Sequence, residues 1–461
     1  MIVVDAYRDK KIGVYGLGRT GVSVVRTLLA GGAEVVCWDD DPGRRETGDA
    51  MGAKAIEPGV RGWQGVIAVV LSPGIPLTHP EPHLVVRVAE ELGAEIIGDI
   101  ELFARSRPAA AVLAITGTNG KSTTTSLIAH LLDALGKPCV SGGNLGTPVL
   151  DFEVLPADGA YVLELSSYQI ALTDSLRPTV SILINISPDH LDRHGGMDGY
   201  IAAKYRLFEM GLPNSRMVIG VDDKWSEEIA DRLEAKGADV TRVSVQRALS
   251  DGTFVLDGVL HHAKGGRAER LRDIREIETL RGAHNWQNAA CAIAALQAFG
   301  FDPIVAAEFL SGFAGLAHRM EQVATIGDVR FVNDSKATNA KAAAQALAAY
   351  DNIFWIAGGI QKQGGIQELG EFFPKITHAF LIGESMESFA GVLEASVAVT
   401  MSSTLEQAIH EAMDMAKRSN IAQPVILLSP ACASFDQFDS FEARGDTFRS
   451  LVQKIAVETA A

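Results

Sequence analysis

Cysteine is scarce in this chain of 461 residues, and the four present, Cys37, Cys139, Cys291 and Cys432, lie far apart with no C-x-x-C pair. That spacing excludes a disulfide-scaffolded secreted domain and a thiolate metal site, and it leaves the thiols to be read as core residues of a protein in a reducing compartment. Basic residues are also in deficit, 41 Lys and Arg against 57 Asp and Glu, a formal net charge of -16. Broad binding to nucleic acid or to an anionic membrane needs the opposite surface, so an anionic substrate must be met by locally placed cations. No apolar run approaches the length of a membrane span, and the first residues, MIVVDAYRDKK, mix acids and bases where a signal peptide needs a basic start and an apolar stretch. The expectation is a cytoplasmic protein with no nucleic-acid partner and no membrane insertion.

The chain is too long for one core, and with 47% hydrophobic and 21% charged residues it has material for several. Short apolar runs alternate with helical patterns from end to end, which predicts parallel sheets with crossover helices. Strands are predicted at KIGVYG, AEVVCWD, GVIAVVLS, AAVLAITG, YVLELS, TVSILINI, RMVIGV, VRFVND, NIFWIAGG, HAFLIG and PVILLSP. Polar or glycine-rich residues follow many of these runs, at the strand ends where open α/β sheets bind ligands. RSRPAA around Pro108 and FAGLAHRMEQV near Leu316 read as boundaries, giving three α/β domains at 1–107, 108–315 and 316–461. DGTFVLDGVLHHAKGG reads as a small β excursion.

Two glycine loops carry chemistry. Gly16, Gly18 and Gly21 fit G-x-G-x-x-G between a strand and a helix, with Asp39 and Asp40 ending the next strand and Ser72, Pro73 and Gly74 following a third. Such a turn lets the backbone approach a pyrophosphate at a helix N-terminus, and both a dinucleotide and another nucleotide diphosphate fit it. In the second loop Gly117, Gly120, Lys121 and Ser122 follow AVLAI and open a helix, so amides, an ammonium and a hydroxyl for Mg²⁺ converge. Ile115 stands where the first glycine of the usual phosphate loop belongs, which shortens the cradle without removing those donors.

Oxygen ligands for a magnesium nucleotide are available at Glu164, after one strand, and at Asp189 and His190, after another. In MDGYIAAKYRLFEM, Ile201, Lys204, Tyr205 and Phe208 share one helical face, which turns Lys204 inward. Such a lysine either snorkels to solvent or is functional. In NDSKATN, Asn, Asp and Ser are natural helix caps, whereas Lys336 is not required by a cap.

Together these motifs resemble those of the ATP-dependent Mur ligases of peptidoglycan synthesis. The resemblance covers the whole chain: GLGRTG and SPGIP, then TGTNGKST, LELSSYQ, DHLDRH and HNWQN, then HRME, NDSKATN, GGIQK and LLSPACASFDQFDSFEARG. Loops of that family begin T-G-T-N-G-K, so Ile115 is ordinary there. The resemblance implies a Rossmann-like N-terminal domain, a central P-loop ATPase domain and a Rossmann-like C-terminal domain.

By the same resemblance, ATP is bound by Gly117, Thr118, Asn119, Gly120, Lys121, Ser122 and Thr123, with Asn285 and Asn288 at the adenine, and with Arg319 (paired with His318), Asp334 and Lys336 contributed by the last domain. The first loop holds a UDP-sugar through Gly18, Arg19, Thr20, Ser72, Pro73 and Gly74, with Asp39 and Asp40 near the uracil. Asn144 and His190 face the acceptor substrate. Lys204 is carbamylated and helps His190 hold one Mg²⁺, while Ser122 and Glu164 serve a second. Thr338, Lys362, Ser434, Phe435 and Phe441 line a D-glutamate site. Two departures stand out: GGIQKQGG replaces the commoner G-G-D-G-K at Lys362, and Phe435 stands where Leu is common.

The implied reaction is transfer of the ATP γ-phosphoryl to the carboxylate of UDP-N-acetylmuramoyl-L-alanine, then attack by the amine of D-glutamate on the acyl phosphate, with Lys121, Lys204, His190, Lys336 and Asn144 as the catalytic set in a monomer. Rival readings are another Mur-family ligase or a folylpolyglutamate synthase, an NAD-dependent dehydrogenase, and a non-enzymatic nucleotide switch. The dehydrogenase accounts for GLGRTG but leaves Lys121, Glu164 and Lys336 idle.

Overall fold

Val- and Ile-rich segments build the first sheet of the computed structural model, which describes residues 1–144, 146–212, 214–361 and 364–460. Its strands β1 (Lys11–Tyr15), β2 (Glu34–Trp38), β3 (Lys54–Ala55), β4 (Val66–Leu71) and β5 (Glu95–Ile97) are all parallel, in the order β3-β2-β1-β4-β5. This is the order of a nucleotide-binding sheet, and its switch point lies where the chain turns outward on both sides of β1. Helix α1 (Arg19–Ala30) leaves β1 through the glycine turn and buries Val24, Val25 and Leu28.

The second sheet has nine strands: β6 (Ala111–Thr116), β7 (Cys139–Gly143), β8 (Ala160–Glu164), β9 (Val180–Leu183), β10 (Arg216–Gly220), β11 (Asp239–Ser244), β12 (Gly252–Leu256), β13 (Val259–Lys264) and β14 (Arg267–Asp273). They run in the order β14-β13-β12-β11-β10-β9-β6-β8-β7. The pairings from β7 to β12 are parallel, and β13 and β14 add an antiparallel meander at the edge, as the glycine-punctuated excursion predicts. Strands β6, β8 and β9 are almost wholly buried, the condition of a parallel sheet covered on both faces. Helix α3 (Lys121–Ala134), here numbered after α2 (Asp99–Arg105), packs beside α5 (Ala283–Phe299), whose Ala-rich surface is buried nearly all round; α4 (Met197–Glu209) lies between them in sequence.

Residues 1–276 and 283–313 form one compact unit, and residues 277–282 with 314–461 form another. Within the first unit the two sheets share a core: Ile2, Val14 and Phe103 belong to the same buried cluster as Phe152, Tyr161 and Leu207. The second unit is built on a six-stranded sheet in the order β15-β16-β21-β17-β19-β20, where β15 is Glu321–Ile326, β16 Val329–Asn333, β17 Ile353–Gly358, β19 Ile376–Ile382, β20 Val399–Ser403 and β21 Val425–Leu428. Only β15 is antiparallel. A short ribbon pairs β18 (Ile360–Gln361) with β22 (Cys432–Ala433). Helices α6 (Ala340–Ala349) and α7 (Phe441–Ala460) belong to this unit.

All the apolar runs singled out above are strands. Cys37, Cys291 and Cys432 are buried as expected, whereas Cys139 is only half-buried on the edge strand β7.

Glu101, on α2, ties the first sheet's layer to the second. Its side chain has no solvent exposure; Oε2 accepts from the backbone N–H groups of Asp174 (2.7 Å) and Ser175 (2.8 Å), and Oε1 from the Ser175 hydroxyl (2.6 Å) and Arg105 (2.7 Å). Burial acts to raise its pKa, but these donors prevail and hold it below the usual carboxylate range. A depressed folded-state pKa means the contribution is full above the unfolded value and is lost as pH falls through the folded one. Glu101→Gln is expected to lose about 2 kcal/mol of stability in urea unfolding at neutral pH. The deficit should shrink as pH is lowered past the ordinary Glu range near about 4; a deficit independent of pH would contradict this account.

Candidate functional site

Beyond β6 the chain makes the tight turn Gly117–Gly120 and enters α3. Gly120 has φ 84°, and a Cβ there would run into Asn288 Oδ1, so two independent constraints require glycine. The turn is braced from the loop after β9: Thr118 N–H donates to Asn185 O (2.9 Å), Asn119 N–H to Asn185 Oδ1 (3.0 Å), and Ser187 N–H to Thr118 Oγ1 (3.0 Å). Asn288, buried on α5, donates to Asn285 Oδ1 (3.1 Å) and accepts from Thr124 (3.3 Å), so this pair supports the loop from behind. Ser122 is buried at the start of α3, with Thr123 next to it. The turn leads into the N-terminus of α3, a position that suits a phosphate.

Two lysines meet on this loop. Lys121 Nζ donates to the carbonyls of Gly117 (3.0 Å) and Thr118 (2.8 Å), and Lys204 Nζ, from α4, donates to the same Gly117 oxygen (2.8 Å) and to Thr116 Oγ1 (3.3 Å). Lys204 is 1% exposed, so it does not snorkel. Burial, and then the charge of Lys121, drive its pKa well below the ordinary value, with Asp189 opposing, which favours the neutral amine. The ring of Tyr200 lies 4.7 Å from its nitrogen.

Strand β8 ends in register with β6, Ile115 opposite Glu164, so Glu164 arrives beside the loop. The residue is 2% exposed; Asn144 Nδ2 donates to Oε1 (2.8 Å), while Oε2 is buried with no hydrogen bond among the described residues. A buried carboxylate oxygen without a donor suits a cation. Among the described residues no group of three or more His, Cys, Asp or Glu side chains is placed to hold a metal ion, so Glu164 stands as a single protein carboxylate. That donor set fits Mg²⁺, which takes one or two protein carboxylates and completes its shell with phosphate and water.

His190 sits in the left-handed region (φ 52°), half exposed, 3.4 Å from Asp189. Tyr168 lies 5.2 Å from its ring and stacks on His194 at 5.3 Å; His194 takes a 2.9 Å hydrogen bond with Ser167. Burial above all lowers the His194 pKa to about 4, so it is a neutral packing partner.

A cavity of about 280 Å³ opens next to the loop, lined by Asn119, Asn185, Asp222, Gln246, His284 and Gln287 among others. Asn185 Nδ2 donates to Gln287 (2.9 Å) and Gln287 Nε2 to Asp222 (3.2 Å), a fixed set of amide and carboxylate groups at its floor.

At the first glycine turn Gly16 has φ 91°, and a Cβ on Gly21 would strike the Gly16 carbonyl, so α1 packs directly on the turn. Around Gly18, by contrast, there is open space. Ser72 donates to Gly16 O (3.0 Å) and is thus a brace; Gly74 is exposed, and Pro73 and Thr20 are half-buried. Arg19 reaches Gly146 O (3.1 Å), near Asn144. The two acids differ. Asp39 is buried, with Oδ2 accepting from Leu17 N–H (2.6 Å) and Oδ1 from Asp41 N–H (2.9 Å); although burial opposes, these bonds and Arg44 keep its pKa low. Asp40 is exposed.

The second unit gathers its own group. Asp334 accepts from Ser429 (2.7 Å) and Met320 N–H (3.2 Å), and burial pushes its pKa up to about 7. Lys336 Nζ lies 5.4 Å above the Phe441 ring, and its backbone N–H donates to His318 O (3.0 Å). Arg319 is half-buried and contributes to the field at Asp334. Thr338 is half-buried, Ser434 buried, and Phe435 71% exposed. Lys362 lies outside the described residues.

Arg444 escaped the sequence reading. It is 1% exposed and donates to Ser335 Oγ (2.9 Å), Ser335 O (2.9 Å) and Cys432 O (3.1 Å), joining the loop of Asp334 and Lys336 to the loop of Ser434. An arginine in an exposed-looking stretch, FEARGD, gives no periodic signal of burial. Asn185 was legible in principle, as a polar residue directly after the apolar run of β9.

Comparisons with known proteins point the same way. Residues 115–296 match the Mur ligase middle domain, and residues 318–432 match the Mur ligase, glutamate ligase domain. The UDP-N-acetylmuramoylalanine–D-glutamate ligase of Caulobacter vibrioides is 49% identical over 459 residues, 98% of this chain and 97% of that one. The protein of the same name from Nitrobacter hamburgensis is 50% identical over 459 residues, covering 99% and 98%. Among solved structures, UDP-N-acetylmuramate-alanine ligase from Thermotoga maritima superposes with a TM-score of 0.59 at 18% identity, over 97% of this chain and 99% of that one. MurF from Acinetobacter baumannii gives 0.59 at 19% identity, over 92% and 91%, and so shares the three-domain α/β architecture. With about half of its residues identical over nearly its full length, the chain belongs to the Mur ligase family.

Proposed function

We infer that the protein is an ATP-dependent ligase that joins D-glutamate to UDP-N-acetylmuramoyl-L-alanine in peptidoglycan precursor synthesis. Its relatives at about half identity carry that activity in their names. The observation that carries the reading within the site is the convergence of Lys121 and Lys204 on the Gly117 carbonyl, beside the partnerless Glu164 oxygen. A dehydrogenase has no use for such a group.

A carboxylate is a poor electrophile, so ATP must first turn one of its oxygens into a leaving group. Lys121 and the N-terminus of α3 hold the β- and γ-phosphates, and the family resemblance assigns Lys336 and Asp334 to the nucleotide as well. Their work is positional and electrostatic. Asn285 and Asn288 serve the nucleotide, and the neighbouring cavity offers room for its nucleoside. The acyl phosphate then meets the amine of D-glutamate, bound by Thr338, Ser434, Phe435, Phe441 and Lys362, and the tetrahedral adduct collapses to amide and phosphate.

Mg²⁺ would be held by Ser122 and Glu164 and by His190 with a carbamylated Lys204, and it supplies charge neutralisation on the phosphoryl oxygens. A neutral, buried lysine amine is the form that adds CO₂, and the product is a carboxylate-like oxygen pair. Asn144 keeps Glu164 in place and faces the acceptor. The first glycine turn carries the UDP moiety through Gly18, Arg19, Thr20, Asp40, Pro73 and Gly74, with Asp39 and Ser72 also shaping the turn. This reading divides the chain at 1–107, 108–315 and 316–461, one domain for each substrate, in a cytoplasmic monomer.

The direct test is phosphate release and amide formation with each amino acid and acceptor in turn. Turnover is expected only when D-glutamate, UDP-N-acetylmuramoyl-L-alanine and ATP are all present; release indifferent to the acceptor would refute the reading. Lys121→Ala is expected to lower kcat by about a thousandfold or more, in line with removal of a charge that acts mainly in the transition state. Lys204→Ala should be similarly inactive and should regain part of its rate when acetate or another short carboxylate is added, because an oxygen ligand rather than an ammonium is missing. Rescue by methylamine instead would show that the lysine acts as a cation.

A further inference from the structure

At the switch point of the first sheet, a chain of hydrogen bonds links the ends of β1 and β2 to the start of the helix Leu84–Leu92 and is not accounted for by the turn itself. Tyr15, the last residue of β1, is 4% exposed, and its hydroxyl donates to Asp40 Oδ1 at 2.8 Å. The same oxygen lies 3.4 Å from Nε2 of His83, and the two rings are 4.9 Å apart, tilted by 55°. His83 caps the helix Leu84–Leu92, its Nδ1 accepting from Val85 N–H at 3.3 Å. A neutral imidazole that accepts at Nδ1 carries its hydrogen at Nε2. The direction of the relay is therefore set: Val85 N–H to His83, His83 Nε2–H to Tyr15, Tyr15 O–H to Asp40.

The backbone at the far end is fixed as well. Arg45 stacks on Trp38 at 4.4 Å and donates to the carbonyls of Asp39 (2.9 Å) and Asp40 (3.2 Å). Asp39 has both oxygens engaged by the glycine turn. Asp40 is the exposed acid, and its Oδ2 has no hydrogen bond among the described residues. Burial and the bond to Asp40 raise the Tyr15 pKa, which keeps the phenol a donor throughout the working range.

We propose that Tyr15, set in turn by His83, is a positioning residue that aims the free oxygen of Asp40 at a hydrogen-bond donor on the uridine of the sugar nucleotide. The inference rests on the assignment of the first glycine turn to the UDP moiety. A carboxylate only accepts. The uridine offers two kinds of donor to it, the imide N–H of the base and the hydroxyls of the ribose. Cytosine presents a lone pair where uracil has that N–H, and deoxyribose lacks one of the hydroxyls, so the two sources are separable.

Tyr15→Phe keeps the ring and removes only the donor. The KM for UDP-N-acetylmuramoyl-L-alanine is expected to rise about five- to tenfold, with kcat and the KM values for ATP and D-glutamate unchanged. His83→Ala should move the same constant in the same direction. In competition assays with UDP, CDP and 2′-deoxy-UDP, the wild-type enzyme should prefer UDP, and Tyr15→Phe should reduce its preference over CDP if the base is read, or over 2′-deoxy-UDP if the ribose is. Unchanged KM, or preferences intact in the variant, would overturn the assignment. A rise shared by ATP and D-glutamate would place Tyr15 in core stability and overturn it too. Failure of UDP to compete in the wild type would remove the nucleotide assignment and this inference with it.

Discussion

One carbonyl oxygen, that of Gly117, accepts from both Lys121 and Lys204, and much of the first unit is arranged so that it can. Two ammonium groups cannot share an acceptor in a buried place at little cost, since the interior screens their repulsion poorly. The relief is a displaced protonation equilibrium at Lys204, enforced by its burial and then by the charge of Lys121. A neutral amine has a lone pair available, and the proposed carbamylation rests on that. The glycine at 120, the Asn288–Asn285 brace and the Asn185 contacts serve the same end by holding the Gly117 carbonyl in place.

The two glycine turns solve related problems differently. At the second, the turn's own N–H groups at Thr118 and Asn119 are engaged by Asn185, and Glu164 arrives beside it from the neighbouring strand β8. At the first, an aspartate is consumed in shaping the turn, and the next residue keeps its carboxylate at the surface. Paired acids after a strand thus divide the labour: one is buried and satisfied by N–H groups, the other is left open to solvent.

Much of this was legible in the residues. Apolar runs located the central strands because parallel strands buried on both faces are continuous in sequence. The phosphate loop and the inward face of Lys204 followed from spacing. The edge strands β3 and β7, and β11 inside the second sheet, were not foreseen, being short, glycine-bearing or polar and only partly buried. Nor could spacing distinguish Asp39 from Asp40, because the difference lies in which backbone N–H groups each carboxylate meets. Arg444 was hidden for a similar reason: its partners are carbonyls and a hydroxyl, distant in sequence and carrying no charge pattern.

The buried guanidinium of Arg444 has a consequence for how this protein can change. It clamps two loops that come from opposite ends of the third sheet's chain path, and two of its three bonds go to main-chain oxygens, the third to the Ser335 hydroxyl. Residues on either loop are therefore free to drift while the scaffold between them stays put. Insertion or deletion in one loop alone, however, would strand a cation in the interior. Diversification at this end of the molecule should proceed by exchanging side chains on loops of constant length.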